Sequence, residues 1–175
     1  MIIRSASRDD DAEGIRSLYL TAFAEQERYQ VARLATDLLD LVSQPATLSL
    51  VAQSAGSVVG HVAFSPVWVD KLPGFSGFIL APLAVLPLRH NQRIGSRLVE
   101  HGLAMLGAAD VVFVYGDPNY YARFGFEARA ALDYLPPYDL EYPLGWQARV
   151  LKPADESQAP VAMRCVAPLD DPALW

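Results

Sequence analysis

The stretch that most constrains how this chain can fold runs from Phe78 to Arg97. Its first half is apolar and β-forming, yet it contains Pro82, which has no N–H to give to a sheet ladder. A bulge or splay is therefore expected near Pro82, leaving the backbone of the next residues open to a ligand. Its second half turns polar and basic at Arg89 and runs directly into helical spacing. Free N–H groups at a helix start, set beside arginines, make an anion cradle, and phosphate is the anion that suits it best.

The flanking segments supply a sheet and helices to surround this stretch. Ile2 to Ala6 reads as a first strand, with Ser7 and Asp9, Asp10 and Asp11 placed to cap a helix and complement its positive end. Ile15, Leu18, Tyr19, Ala22 and Phe23 give that helix an apolar stripe. Val31, Leu34, Ala35, Leu38, Leu39 and Val42 give a second helix another, ended by Gln44-Pro45. Thr47 to Gln53 and Val58 to Val69 are β-rich and flank Ser54-Ala55-Gly56-Ser57, a hairpin turn. Lys71-Leu72-Pro73-Gly74 makes a further turn, so the second, third and fourth strands form an antiparallel meander.

Ile94, Leu98, Gly102 and Met105 or Leu106 keep helical spacing to about Ala109, and Val111 to Val114 is a short buried strand. Strand, helix and strand in succession imply a crossover and a parallel pair. Gly116-Asp117-Pro118-Asn119 opens a short helix that Gly125 ends. Beyond Phe126 the pattern loosens, with one clear strand at Val161 to Val166 and a surface tail from Leu169 to Trp175.

Bulk properties narrow the function classes. A chain of 175 residues, 52% hydrophobic and 19% charged, suits one domain around a two-layer core. A net charge of -6 argues against sequence-independent nucleic-acid binding, which needs a basic face. Cys165 is the single cysteine, which rules out an intrachain disulfide and a CxxC metal site and fits a reducing compartment. It reads as a small apolar residue on a late strand. The N-terminal stretch meets charge at Arg4, too early for a signal peptide, and the apolar run from Phe78 to Leu88 is too short to span a bilayer. A cytoplasmic protein with no membrane partner is expected. His61, His90 and His101 show no metal spacing, so no metal is expected.

The order of these elements, the anion-binding turn after the fourth strand and the Tyr121-x-x-x-Gly125-Phe126 signature resemble the GNAT superfamily of acetyl-CoA-dependent N-acetyltransferases. The resemblance spans Ile3 to Phe126 most strongly. Pro82 to Val85, Ile94 to Leu98 and Gly116 to Phe126 are similar to the YhbS-like subgroup. It implies an α+β fold of three-layer type: a mixed, mostly antiparallel sheet splayed between the fourth and fifth strands, with helices on both faces. It also implies an N-acetyltransferase domain over residues 1–168, followed by a tail at 169–175. The family's pyrophosphate loop falls on His90, Asn91, Gln92, Arg93, Ile94 and Gly95. Gly95 matches the family pattern; Arg93 stands where glycine is usual and His90 where glutamine or arginine is usual.

What the resemblance implies for chemistry is transfer of an acetyl group from acetyl-CoA to a primary amine of a small molecule or protein, in a ternary complex. Leu83, Ala84 and Val85 would bind the pantetheine arm and polarise the thioester carbonyl, while Arg89 through Ser96 would hold the diphosphate. Tyr121 would protonate the departing thiolate, with Tyr120 as its competitor. Asn119 would either bond the pantetheine arm or cap its helix. Glu25 and Glu27 are candidate bases that also read as solvated acids, and His61 reads as a core or edge residue. Tyr134, Tyr138, Tyr142 and Trp146 suit an acceptor pocket, a homodimer surface or ordinary packing. A non-catalytic acyl-CoA-binding module stays open as an alternative.

Overall fold

The computed structural model describes residues 1–69, 72–152 and 160–175. Backbone packing divides the chain into one unit of Met1–Phe64 with Ala81–Met105 and another of Ser65–Leu80 with Leu106–Trp175.

In the first unit, β1 (Ile2–Ser5) pairs antiparallel with β2 (Leu48–Ser54), and β2 pairs antiparallel with β3 (Ser57–Val69). The β2–β3 hairpin turns on Ala55 and Gly56, both at positive φ (49° and 81°). Two left-handed central residues give the turn a twist that matches its strands. A register shift between Ala52 and Gln53 makes the next contacts of β3 point to opposite sides. Val58 meets Gly14 of α1 (Arg8–Ala22), whereas Gly60 meets Ile94 and Leu98 of α3 (Ile94–Met105).

Helices consequently cover both faces of this part of the sheet. On one, Ile15, Leu18 and Tyr19 of α1 and Ala32 and Ala35 of α2 (Arg28–Asp40) bury against Val51 and Ala84. On the other, α3 lies so close that a Cβ on Gly102 would stand 2.1 Å from Phe64 Cε2. At the start of α1, the Ser7 side chain makes no cap bond. The Asp11 carboxylate instead accepts the Ser7 N–H (2.8 Å) and both terminal nitrogens of Arg4 (2.6 and 2.9 Å). Of the three aspartates, Asp11 is the buried one because it alone has these donors. Val42, expected on the apolar stripe of α2, lies past the helix and is 96% exposed. Leu41 is already extended, so the chain leaves the helix earlier than Pro45 itself requires.

In the second unit, β4 (Gly77–Val85) contributes Gly77–Leu80, which pair in parallel with Val111–Val114 of β5 (Val111–Tyr115). This is the expected crossover pair. The register stops at Leu80 and Val114, while β4 continues past Pro82 to Val85. Strand order runs β1-β2-β3-β4-β5 and then Trp146–Val150, a mixed open sheet. The fifth strand's other neighbour, β7 (Trp146–Val150), is antiparallel to it and was not anticipated. Two further pairings join β6 (Tyr134–Leu135) to β8 (Val161–Arg164) and β8 to the end of β3.

Lys71, part of an expected turn, lies outside the described residues; Gly74 in that turn has φ +81°. Residues 169–175, read from sequence as a surface tail, include Leu169, which is buried, and Trp175, whose ring stacks on Tyr115 and meets Trp146 edge-on. Rings of this size gain more from covering one another than from water.

Candidate functional site

The end of β4 and the start of α3 form one continuous device in the first unit. Ala84 is buried beneath α1 and α2, leaving Leu83 and Val85 half-buried. The Leu86 N–H donates to the Val59 carbonyl (3.0 Å), which fixes where the chain leaves the strand. A 3-10 turn, Pro87–Arg89, follows, and the His90 imidazole returns to the Val85 carbonyl through Nε2 (3.0 Å). His90 therefore closes the loop upon the strand it came from. Asn91, Gln92 and Arg93 are exposed, with Asn91 at φ +61° and Arg93 at φ +59°.

The second angle falls on the residue that departs from the family pattern. Arg93 holds the left-handed conformation that a glycine adopts freely, at a cost of about 1–2 kcal/mol for an L side chain. The loop thus holds a backbone conformation that glycine favours while carrying a guanidinium. The Arg97 N–H makes the first turn's bond to the Arg93 carbonyl (3.0 Å), so the amides of Ile94, Gly95 and Ser96 precede the helical ladder. Ile94 anchors this end by burying its side chain against Gly60. Arg89, Arg93 and Arg97 are exposed and form no ion pair among the described residues. Unladdered amides, a helix dipole and three unpaired guanidinium groups together fit a diphosphate.

The second unit presents the tyrosine. Beyond β5, Asp117 caps α4 (Pro118–Tyr121), accepting the Asn119 N–H (2.9 Å) and the Asn119 side-chain amide (3.2 Å). The capping role weighed for Asn119 thus belongs to Asp117. Tyr121 ends α4, and its ring covers Gly116 so closely that a Cβ there would stand 2.6 Å from Tyr121 Cε2. Tyr120 and Phe126 meet the same ring edge-on, at 5.0 and 5.8 Å. Burial, and secondarily Tyr120, pushes the Tyr121 phenol well above its ordinary range; like any tyrosine it carries its proton at neutral pH. Tyr120 lies under the Arg123 guanidinium, 4.9 Å from the ring centroid. Gln147, unnoticed in the sequence, is buried and donates Nε2 to the carbonyls of Gly116 (3.1 Å) and Gly145 (3.2 Å). It fixes the turn on which Tyr121 rests.

The remaining candidates separate cleanly. Glu25 is exposed and pairs with Arg28 (3.4 Å), and Glu27 occupies the N-cap of α2 without a side-chain cap bond. His61 is fully buried between the Tyr19 hydroxyl (2.8 Å) and Ser49 Oγ (2.9 Å). Burial lowers its pKa to about 3, against a smaller opposing pull from Asp11. It is a satisfied core residue. Burial, with Asp170 adding, raises the Cys165 thiol to about 11, which fits an inert side chain and not a nucleophile. No cluster able to hold a metal ion occurs among the described residues, and no helix among them is long and apolar enough to cross a membrane.

Comparison with known proteins follows the same lines. The model of the Acetyltransferase (GNAT) family matches residues 12–126. The chain is 33% identical over 170 residues to the N-acetyltransferase YjhQ of Escherichia coli K12, covering 94% of this chain and 92% of that one. Among solved structures, it resembles the GNAT family N-acetyltransferase YhbS of Escherichia coli in complex with CoA. That match has a TM-score of 0.79 and 30% identity, over 97% of this chain and 92% of the other. It also resembles a GNAT family acetyltransferase of Brucella melitensis in complex with acetyl-CoA. There the TM-score is 0.65 at 32% identity, over 92% and 94% of the two chains. This chain belongs to the GNAT acetyltransferase family.

Proposed function

We propose that the protein transfers an acetyl group from acetyl-CoA directly to a primary amine, within a ternary complex. The observation that carries this reading is the start of α3, where the amides of Ile94 to Ser96 stand before the helical ladder on a loop whose residue 93 is left-handed. Arg89, Asn91, Gln92 and Arg93 would surround the diphosphate with those amides, and His90 would hold the loop closed. Backbone groups of Leu83, Ala84 and Val85, beyond the last β4–β5 pair, would bind the pantetheine arm. Asn119, engaged through its amide nitrogen by Asp117, would keep its carbonyl oxygen for the same arm.

Acetyl-CoA supplies a thioester carbon open to attack. The neutral amine forms the N–C bond as the C–S bond breaks, and its surplus proton leaves to solvent. Tyr121, protonated at neutral pH as any tyrosine is, gives its proton to the departing sulfur and regains one from water. Residues 1–168 would form the N-acetyltransferase domain, and the single cysteine suits a cytoplasmic setting.

The test combines thermal melting with coenzyme A and a thiol-release assay against a panel of amines. A ligand at about 100 times its Kd adds roughly 2.7 kcal/mol to stability, so a clear rise in Tm together with amine-dependent thiol release is expected. A rise in Tm with no transfer to any amine would assign the protein to the non-catalytic acyl-CoA-binding class. No rise in Tm would remove the reading altogether.

A further inference from the structure

We infer that a cavity in the second unit seats the acceptor's body, and that the acceptor is a primary amine bearing an alkyl or aryl group. This rests on the acetyltransferase reading above. The cavity has a volume of about 720 Å³, within the range of small-molecule sites. Leu132, Leu135, Leu140, Leu144 and Trp146 give it apolar walls. Leu132 is 71% and Leu144 78% exposed. Large leucines gathered around one concavity, instead of scattered singly, mark a surface that something covers.

The occupant's charge follows from the one charged side chain on the wall, Asp139; no lysine, arginine or histidine lines the cavity among the described residues. A carboxylate on a wall without basic side chains repels acids and phosphates and draws in the acceptor as its ammonium, which sheds a proton to solvent before the neutral amine attacks. The concavity is also preformed. Trp146 stacks on Phe113 (5.3 Å) and donates its indole N–H to the Tyr134 carbonyl (2.9 Å), and the Tyr138 hydroxyl donates to Asp170 (2.8 Å). The residue after Trp146 is Gln147, whose amide holds the Gly116 carbonyl under Tyr121. One strand thus carries both the cavity wall and the support of the proposed acid.

Two measurements on the full chain test this: calorimetric binding of unbranched alkylamines from propylamine to hexylamine without acetyl-CoA, and thiol release with the same series in its presence. Affinity should rise about threefold to fourfold per methylene, and kcat/KM should follow. Leu144→Lys and Leu132→Lys, both at exposed positions, should weaken hexylamine binding at least tenfold while leaving the Tm gain from coenzyme A intact. Asp139→Asn should weaken hexylamine by about threefold and leave hexanol unaffected. Alkylamine binding with this length dependence but no thiol release would uphold the cavity and overturn the acetyltransferase reading. Transfer to a polar amine with a flat alkyl series would do the reverse. A dimer in sedimentation that Leu144→Lys dissociates, with the series flat, would give the apolar wall to a second copy and overturn the inference.

Discussion

At the scale of single residues, the two positions that matter most differ in how far sequence could reach them. Tyr121 was visible through its spacing from Gly125 and Phe126, but its environment was not. Gly116 leaves room for the ring, and burial raises the pKa of the phenol. If Tyr121 is the acid, Tyr121→Phe should lower kcat by about 100-fold or more and leave the Kd for coenzyme A within about twofold, measured by steady-state kinetics and calorimetry. An unchanged kcat would transfer the role elsewhere. Arg93 was visible only as an irregularity, since a one-dimensional pattern shows which residue is present and not which φ it adopts. With φ at +59°, Arg93→Gly should relieve side-chain strain but loosen the unfolded chain, leaving Tm nearly unchanged. Coenzyme A affinity should nevertheless fall about threefold to tenfold as one charge-assisted contact is lost. Tighter binding by the glycine variant would show that the guanidinium obstructs the loop.

At the scale of elements, helices and local hairpins were legible because their signals repeat within a few residues. Ile15, Leu18 and Tyr19 fall on one face wherever the helix packs, and Ala55-Gly56 turns by itself. Strand β7 was not legible. Trp146-Gln147-Ala148-Arg149-Val150 does alternate apolar and polar residues, but over only five positions, directly after the turn residues Pro143 and Gly145 and in a proline-broken stretch. Gln147 is buried because the Gly116 and Gly145 carbonyls accept its N–H groups, a long-range circumstance. Gly102 illustrates the reverse case, a helix-weakening residue that periodicity tolerates and packing demands. Gly102→Ala would gain helix propensity but press a methyl into the fully buried Phe64 ring. A net loss of about 1–2 kcal/mol is expected, read as a lower midpoint in urea. A stabilised variant would mean that α3 shifts freely on the sheet.

At the scale of the whole molecule, stability should depend on pH in two separate windows. The pKa of His61 is lowered to about 3 in the fold, so the unfolded chain binds the extra proton as pH falls below about 6.5, and folding stability is lost there. The slope should approach roughly 1.4 kcal/mol per pH unit. Asp11, lowered chiefly by Arg4, contributes stability that is present above its unfolded pKa and lost only in more acid solution. Urea unfolding at pH 7 and pH 5 should therefore show a drop that His61→Gln largely abolishes and Asp11→Asn does not. An equal drop in the His61→Gln protein would remove His61 as its source.

The sequence by itself determined the helices, the β2–β3 hairpin, the parallel crossover into β5, the interruption after Leu80 and the family, because each is written in neighbouring residues or in a short motif. Tertiary structure alone decided which aspartate is buried, that Arg93 is left-handed, that β7 closes on β5, and that leucines from separate turns share one cavity. Those outcomes depend on partners far away in the chain, and burial and left-handed geometry exist only once such partners have met.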